Sequence, residues 1–396
     1  MLVIAAPGQG AQTPGFLAPW LELPGVAEQL AAWSELAGCD LTRYGTVGSA
    51  DEIRDTAVAQ PLLVAAALTA AGILGADGPG LSGIMAGHSV GELAAGAIAG
   101  IISPDDAMRL TGVRGTAMAK AAAAESTSMT AVLGGDEADV LAAIEAHGLT
   151  PANINGAGQI VAAGTVAQLA AFAASPPAGA RLRPLQVAGA FHTHHMASAV
   201  AALREAAAGV RAHDPALAVL SDADGAVVTS GADWLERVIA QVSAPVRWDE
   251  CMSAMSRLGA TAFLELPPAG TLVGLARRAL PGVRLLPLKT PDDLETAMTL
   301  LAEHADLHPD GQYDAYVPDW RLLVAAQPGT FRSADRPGRA GALVSIGAEL
   351  GLVEMRGASH PVTVGFPATI IEWLVEDGDP VSLGQPLVRL QPGGSE

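Results

Sequence analysis

Gly87-His88-Ser89-Val90-Gly91-Glu92 follows the short apolar run Leu81 to Ala86 and opens an alanine-rich stretch of helical texture. Strand, tight turn and helix in that order form the repeating unit of a parallel α/β sheet. The first five residues fit G-x-S-x-G. They hold the serine on a sharp strand-to-helix turn, where a side chain larger than hydrogen crowds the flanking backbone. Such a turn exposes the hydroxyl at a helix N-terminus, where N–H groups face a developing oxyanion. A glycine-rich turn with a capping serine is the blander reading of the same residues. The strand before it and the helix after it favour a nucleophile.

Working outward, Leu2-Val3-Ile4-Ala5-Ala6 is a short apolar run ending in Pro7-Gly8, the pattern of a buried strand entering a loop. Val58 to Leu74 is apolar at nearly every position and predicts a buried helix. From about Ser126 the texture changes, with Met129–Leu133 and Gln159–Ala163 reading as strands. Helical stretches Glu137–His147 and Val166–Ala174 accompany them, so residues 126–190 predict a small α+β insertion. The main domain resumes at His192 and ends near Lys289. Residues 290–396 hold sixteen Asp/Glu, six Arg and no lysine. Within them, 290–319 reads as an acidic connector, and 320–396 as an all-β module of short β-like runs with Gly and Pro turns.

Composition narrows the function classes. The 396 residues carry 22 basic and 41 acidic side chains, a net charge of −19, and no phosphate-neutralising stripe predicts a nucleic-acid partner. A mean hydropathy of +0.34 excludes a disordered chain. No uninterrupted apolar run approaches the roughly 18 residues of a bilayer span, so no membrane association is expected. Met1 to Pro7 lacks the basic start of a secretory signal. Cys39 and Cys251 are too few for a disulfide framework or a four-cysteine zinc site. These features together predict a cytoplasmic protein.

Gly87-His88-Ser89-Val90-Gly91-Glu92 and Pro7-Gly8-Gln9-Gly10-Ala11-Gln12 together resemble the malonyl-CoA:acyl carrier protein transacylases and the related acyltransferase domains of polyketide synthases. The likeness continues through Arg114-Gly115-Thr116-Ala117-Met118, Asn153-Ile154-Asn155-Gly156 and Ala190-Phe191-His192-Thr193. It ends with Gln241-Val242-Ser243-Ala244-Pro245-Val246-Arg247-Trp248 and Glu265-Leu266-Pro267-Pro268-Ala269-Gly270, where Pro267 stands in place of the family's usual Gly. The blocks keep the family order and cover residues 1–289. The resemblance implies an α/β-hydrolase-like parallel-sheet subdomain with an inserted ferredoxin-like small subdomain.

It also implies roles. Serine needs an adjacent base to act as a nucleophile near neutrality, and His192 matches the family's base for Ser89. The family orients that histidine with a backbone carbonyl, at the position of Gln241, so no acid is expected in the dyad. Backbone N–H groups of Gln9 and Val90 match the oxyanion hole. Arg114 matches the arginine that pairs with the substrate's free carboxylate, a grip suited to a planar guanidinium. Val90 and Phe191 are the pair associated with malonyl rather than methylmalonyl. His88 and Glu92 are given only support of the turn. His192-Thr193-His194-His195 lacks a Cys or carboxylate at ligand spacing, so no metal is expected, and His194 and His195 are expected at the surface.

Pro328-Gly329-Thr330-Phe331, Trp373-Leu374-Val375-Glu376-Asp377-Gly378-Asp379-Pro380-Val381 and Gly384-Gln385-Pro386-Leu387-Val388 resemble biotinyl or lipoyl carrier domains of barrel-sandwich fold. Aligned back from Glu376, the family's modified hairpin falls near Glu354-Met355-Arg356-Gly357, with Gly357 at the lysine position. Neither biotin nor lipoate is therefore expected, and coenzyme A enters only as substrate thioester. The expected activity is malonyl transfer from malonyl-CoA to acyl carrier protein through a malonyl-serine. Two alternatives stay open: an α/β-hydrolase-type thioesterase, which shares G-x-S-x-G, and a non-catalytic scaffold recruiting partners through the carboxyl-terminal module.

Overall fold

The computed structural model describes residues 1–76, 83–305, 321–325, 327–334, 339, 341–355, 358–364, 367–382 and 385–392. The chain forms two compact units, Met1–Gly311 and Gln312–Glu396. Part of the expected connector (306–319), Leu81, Arg356, Gly357 and Gly384 lie outside the described residues.

The first unit is built on a six-stranded sheet. Its strands run in the order Arg284–Pro287, Ala262–Glu265, Leu2–Ala6, Ile84–Gly87, Ala218–Leu220 and Val227–Val228. All neighbours pair in parallel except the last two strands, which are antiparallel. The apolar run at residues 2–6 is continuous because both faces of this strand are covered. Leu2, Ile4 and Ala6 enter one core cluster, and Val3 and Ala5 another that contains Trp248 and Phe263.

Helix Thr56–Leu74 packs into the first cluster. By length and composition it is apolar enough to cross a membrane, which corrects the expectation that no such segment exists; most of it is buried inside the unit. Thr56, Gln60 and Thr69 interrupt the apolar run, and all three are buried.

A second, five-stranded sheet follows the order Ala180–Pro184, Thr127–Gly134, Gln159–Thr165, Thr150–Ile154 and Val246–Arg247. The strands at 150–154, 180–184 and 246–247 are additions to the two expected from the sequence. Helices Glu137–Ala146 and Val166–Ala174 cover one face through Val140, Ile144, Leu169 and Phe172, against Val132 and Ile160. Alternate residues Met129, Ala131, Val161 and Ala163 point the other way, into the main core. That face roofs the cleft described below.

The second unit is β-rich. One four-stranded sheet joins Arg321–Val324, Pro386–Pro392, Ala368–Trp373 and Leu343–Val344; the other joins Ala358–Thr363, Glu349–Met355, Gly329–Ser333 and Pro380–Val381. Every pairing is antiparallel. Two small apolar clusters fill it, one around Phe331 and Leu387 and one around Ile370 and Leu390.

Candidate active site

Strand Ile84–Gly87 ends at the turn, and Ser89 carries the chain into helix Gly91–Ile98 with a φ of 55°. Both flanking glycines are required by contact. A Cβ on Gly87 would lie 2.1 Å from the carbonyl carbon of Gly91, and one on Gly91 would lie 2.2 Å from the carbonyl oxygen of Ala6. The first strand therefore abuts the turn directly, and the His88 N–H donates to the same Ala6 oxygen at 3.0 Å.

Ser89 Oγ lies 2.8 Å from Nε2 of His192, whose Nδ1 lies 2.9 Å from the carbonyl oxygen of Gln241. No carboxylate touches this imidazole among the described residues. Burial, and then the nearby Arg114 charge, push the His192 pKa down to about 3, against a partial upward pull from the Gln241 carbonyl. The ring is neutral at pH 7, with Nδ1 protonated toward the carbonyl and Nε2 free to accept from the serine.

Arg114 projects from helix Pro104–Ala124 and is almost fully buried. Its Nη1 donates to Gln60 Oε1 at 2.6 Å, and its Nη2 donates to Gln241 Oε1 at 2.8 Å and to Ser89 Oγ at 3.2 Å. Its partners are neutral oxygens, and its buried Nε has none among the described residues. Burial lowers its pKa to about 10, so it remains a cation. A buried guanidinium without a bound carboxylate, beside a nucleophile, is suited to an anionic group on the substrate.

Two acids surround this set. The Ser89 N–H donates to Asp222 Oδ2 at 2.8 Å, and the Asp222 N–H donates to Glu92 Oε1 at 2.9 Å. Gln241 Nε2 donates to Asp222 Oδ1 at 2.7 Å and also to Glu92 Oε2. Burial, then the adjacent Asp222 charge, pushes Glu92 well above the usual carboxylate range; burial also raises Asp222. Two buried carboxyls this close titrate as a pair and disfavour a second negative charge. Sequence reading assigned no role to Asp222, Gln60 or the Gln241 side chain. A polar pair, Ser221-Asp222, directly after the buried strand Ala218–Leu220 was the available signal. His88, given only turn support, also reaches across to Asn155, directly after the small-sheet strand Thr150–Ile154, with Nε2 and Oδ1 3.0 Å apart.

A cleft of about 380 Å³ opens above Ser89. Met118, Met129, Val161, Leu185, Val187 and Phe191 give it apolar walls; Gln9, Val90 and Arg114 also line it. Among the described residues, the N–H groups of Gln9 and Val90 have no protein acceptor. The Gln9 side chain turns aside, accepting from Thr56 Oγ1 at 2.8 Å and donating to the Arg54 carbonyl at 3.0 Å. His194 is exposed as expected, whereas His195 is partly buried beside Glu125, with its Nδ1 2.8 Å from Oε2. Among the described residues, no group of three or more His, Cys, Asp or Glu is disposed to hold a metal.

Residues 6–311 match the family model described as acyl transferase domain. The malonyl CoA-acyl carrier protein transacylase of Mycobacterium tuberculosis H37Rv is 52% identical over 302 residues, covering 76% of this chain and 100% of that protein. The Escherichia coli K12 protein of the same name is 33% identical over 301 residues, covering 74% of this chain and 97% of that one. The chain belongs to the malonyl-CoA–acyl carrier protein transacylase family. The crystal structure of MCAT from M. tuberculosis superimposes with a TM-score of 0.73 at 52% identity, covering 75% of this chain and 99% of that one. A type II polyketide acyl carrier protein in complex with its malonyl-transacylase supplies another relative, with a TM-score of 0.70 at 28% identity; the match covers 76% of this chain and 99% of that one. The family match falls on the first unit, and the mixed α/β fold of that unit is the family's.

Proposed function

We propose that this transacylase moves a malonyl group from malonyl-CoA to the phosphopantetheine thiol of acyl carrier protein, with Ser89 as the nucleophile and His192 as its base. What supports the reading most is that Ser89 Oγ is within hydrogen-bond reach of both His192 Nε2 and Arg114 Nη2. One hydroxyl thus stands between a proton acceptor and a receptor for a free carboxylate.

The Ser89 proton passes to His192 Nε2 as Oγ attacks the thioester carbonyl. The Gln9 and Val90 N–H groups receive the oxyanion. The C–S bond breaks, the departing CoA sulfur takes the proton from His192, and malonyl-Ser89 remains. In the second half, the carrier's thiol gives its proton to His192 and attacks the ester, and Ser89 leaves with that proton. Gln241 orients His192 through its carbonyl. Arg114 holds the malonyl carboxylate, with Val90 and Phe191 shaping the space beside it. No metal and no organic cofactor takes part, and the reaction is assigned to the cytoplasm.

The same reading makes residues 126–190 a ferredoxin-like small subdomain within an acyltransferase domain of residues 1–289, followed by the 290–319 connector. The β-rich module at 320–396 is read as a biotinyl/lipoyl-like barrel sandwich that carries neither group, because no lysine follows Lys289. It serves as a docking or stabilising appendage.

Intact-mass spectrometry after exposure to malonyl-CoA tests the central claim. A malonyl adduct that persists until acyl carrier protein is added supports transfer. Release of free malonate would make the protein a thioesterase, and no reaction would make it a scaffold.

A further inference from the structure

Asp222 is completely buried, and both of its side-chain oxygens are committed. Oδ2 receives the Ser89 N–H and Oδ1 receives Gln241 Nε2, at 2.8 and 2.7 Å. The main chain fixes it further: its carbonyl accepts from the Arg247 N–H at 2.6 Å, and its own N–H is held by Glu92.

The amide of Gln241 has one acceptor oxygen and one donor nitrogen, and the two ends meet opposite demands. Arg114 presents only donors, so the oxygen must face it. Turned the other way, the amide would set its NH2 against the guanidinium and leave Asp222 Oδ1 without a donor. Arg114 alone is a weak arbiter of this choice, because it has other acceptors in Gln60 and Ser89. On the opposite end the nitrogen is met by side-chain oxygens of Asp222 and Glu92, and at a longer 3.3 Å by the Ser89 carbonyl. Of the two acids, Asp222 also receives the Ser89 N–H on its other oxygen, so its carboxylate is fixed from both sides.

We propose that Asp222 is a positioning residue for substrate selection: by fixing the orientation of the Gln241 amide, it aims Arg114 at the carboxylate of the acyl group. The same side chain holds the Ser89 amide, so one carboxylate sets the distance between the nucleophile and the carboxylate receptor. The proposal rests on the assignment of Arg114 to the malonyl carboxylate made above.

The test compares malonyl-CoA with acetyl-CoA, which has no free carboxylate, in self-acylation of the full chain. Asp222→Asn can keep the acceptor for Ser89 but offers an NH2 toward Gln241, and the amide is then free to turn. Its kcat/KM for malonyl-CoA should fall about tenfold more than for acetyl-CoA, the cost of one mispaired buried donor. The difference should appear in KM for malonyl-CoA rather than in kcat. Gln241→Met keeps the backbone carbonyl that holds His192 and removes the amide, so it should narrow the malonyl preference as well. The double variant should lose no more of that preference than the worse single variant.

Arg114→Ala is the control that separates the two claims. If it narrows the preference while Asp222→Asn slows both substrates equally, the relay through Asp222 is wrong and the Arg114 assignment stands. If Arg114→Ala also slows both equally, the assignment fails and the relay fails with it. Where circular dichroism shows Asp222→Asn to be unfolded, Gln241→Met decides, because it severs the same relay one residue further on. An unchanged malonyl preference in that variant overturns the proposal.

Discussion

His192 Nδ1 faces the carbonyl oxygen of Gln241 at 2.9 Å, a neutral acceptor where many serine enzymes place a carboxylate. A neutral partner does little to favour the imidazolium, so burial and Arg114 prevail and the pKa falls to about 3 from 6.5. The unfolded chain therefore takes up this proton first as pH falls. The group's contribution to stability is complete above about 6.5 and is lost progressively as pH drops toward 3. For activity, kcat/KM reports the free enzyme. Self-acylation by malonyl-CoA should show no inflection near 6.5, staying level from about pH 8 to about pH 5 in rapid-quench mass measurements. An acid limb centred near 6.5 would show that the histidine is not held neutral.

Arg114→Ala removes a cation that lines the apolar cleft and donates to Ser89 Oγ. A malonyl carboxylate bound there loses its partner, and stranding a buried charge costs about 3–5 kcal/mol, a hundredfold or more in kcat/KM. Acetyl-CoA should lose little and gain relative to malonyl-CoA. The direction of the selectivity change, measured with both thioesters at subsaturating concentration, is the decisive reading. An equal loss would make the arginine structural.

Ser89 holds a left-handed φ of 55°, which glycine adopts freely and alanine does not. Ser89→Gly and Ser89→Ala should both fail to form the adduct. They should differ in stability, with the glycine variant the more stable by about 1 kcal/mol in urea unfolding. A more stable alanine variant would mean that the turn relaxes once the hydroxyl is gone, and that the strain belongs to the serine's contacts.

The carboxyl-terminal module should gain no mass at residues 320–396 when the protein is produced with a biotin or lipoate ligase. A chain ending at residue 311 keeps Ser89, His192, Arg114 and Gln241, and should still self-acylate. Biotin on the module, or a folded truncate without chemistry, would count against this division of labour.

The turn was legible because steric exclusion leaves a signature in residue type: only glycine fits at 87 and 91, and sequence shows glycine directly. The parallel strands were legible where both faces are covered, as at residues 2–6, since burial on two sides writes an unbroken apolar run. Other strands of the small sheet were not. Ala180–Pro184 alternates apolar residues with Arg181 and Arg183 in an exposed position, and Thr150–Ile154 begins at Thr-Pro, which reads as a loop. Asp222 was missed for a different reason. A buried acid held by a main-chain N–H and an amide looks, in sequence, like one more loop aspartate. The side chain of Gln241 was overlooked because its resemblance-derived role lies in the main chain.

Strand Val246–Arg247 belongs to the small sheet, yet it follows Gln241 by only a few residues, and the Arg247 N–H donates to Asp222. For anyone recombining acyltransferases, this shifts the seam. A chimera that exchanges residues 127–184 as a cassette leaves the host's 246–247 strand to pair with a foreign Asn153–Ile154 edge. Any misfit there pulls on the segment that carries the histidine's carbonyl partner and the Asp222 anchor. The exchangeable piece is therefore discontinuous: the insertion together with the 241–247 segment, transplanted as one part.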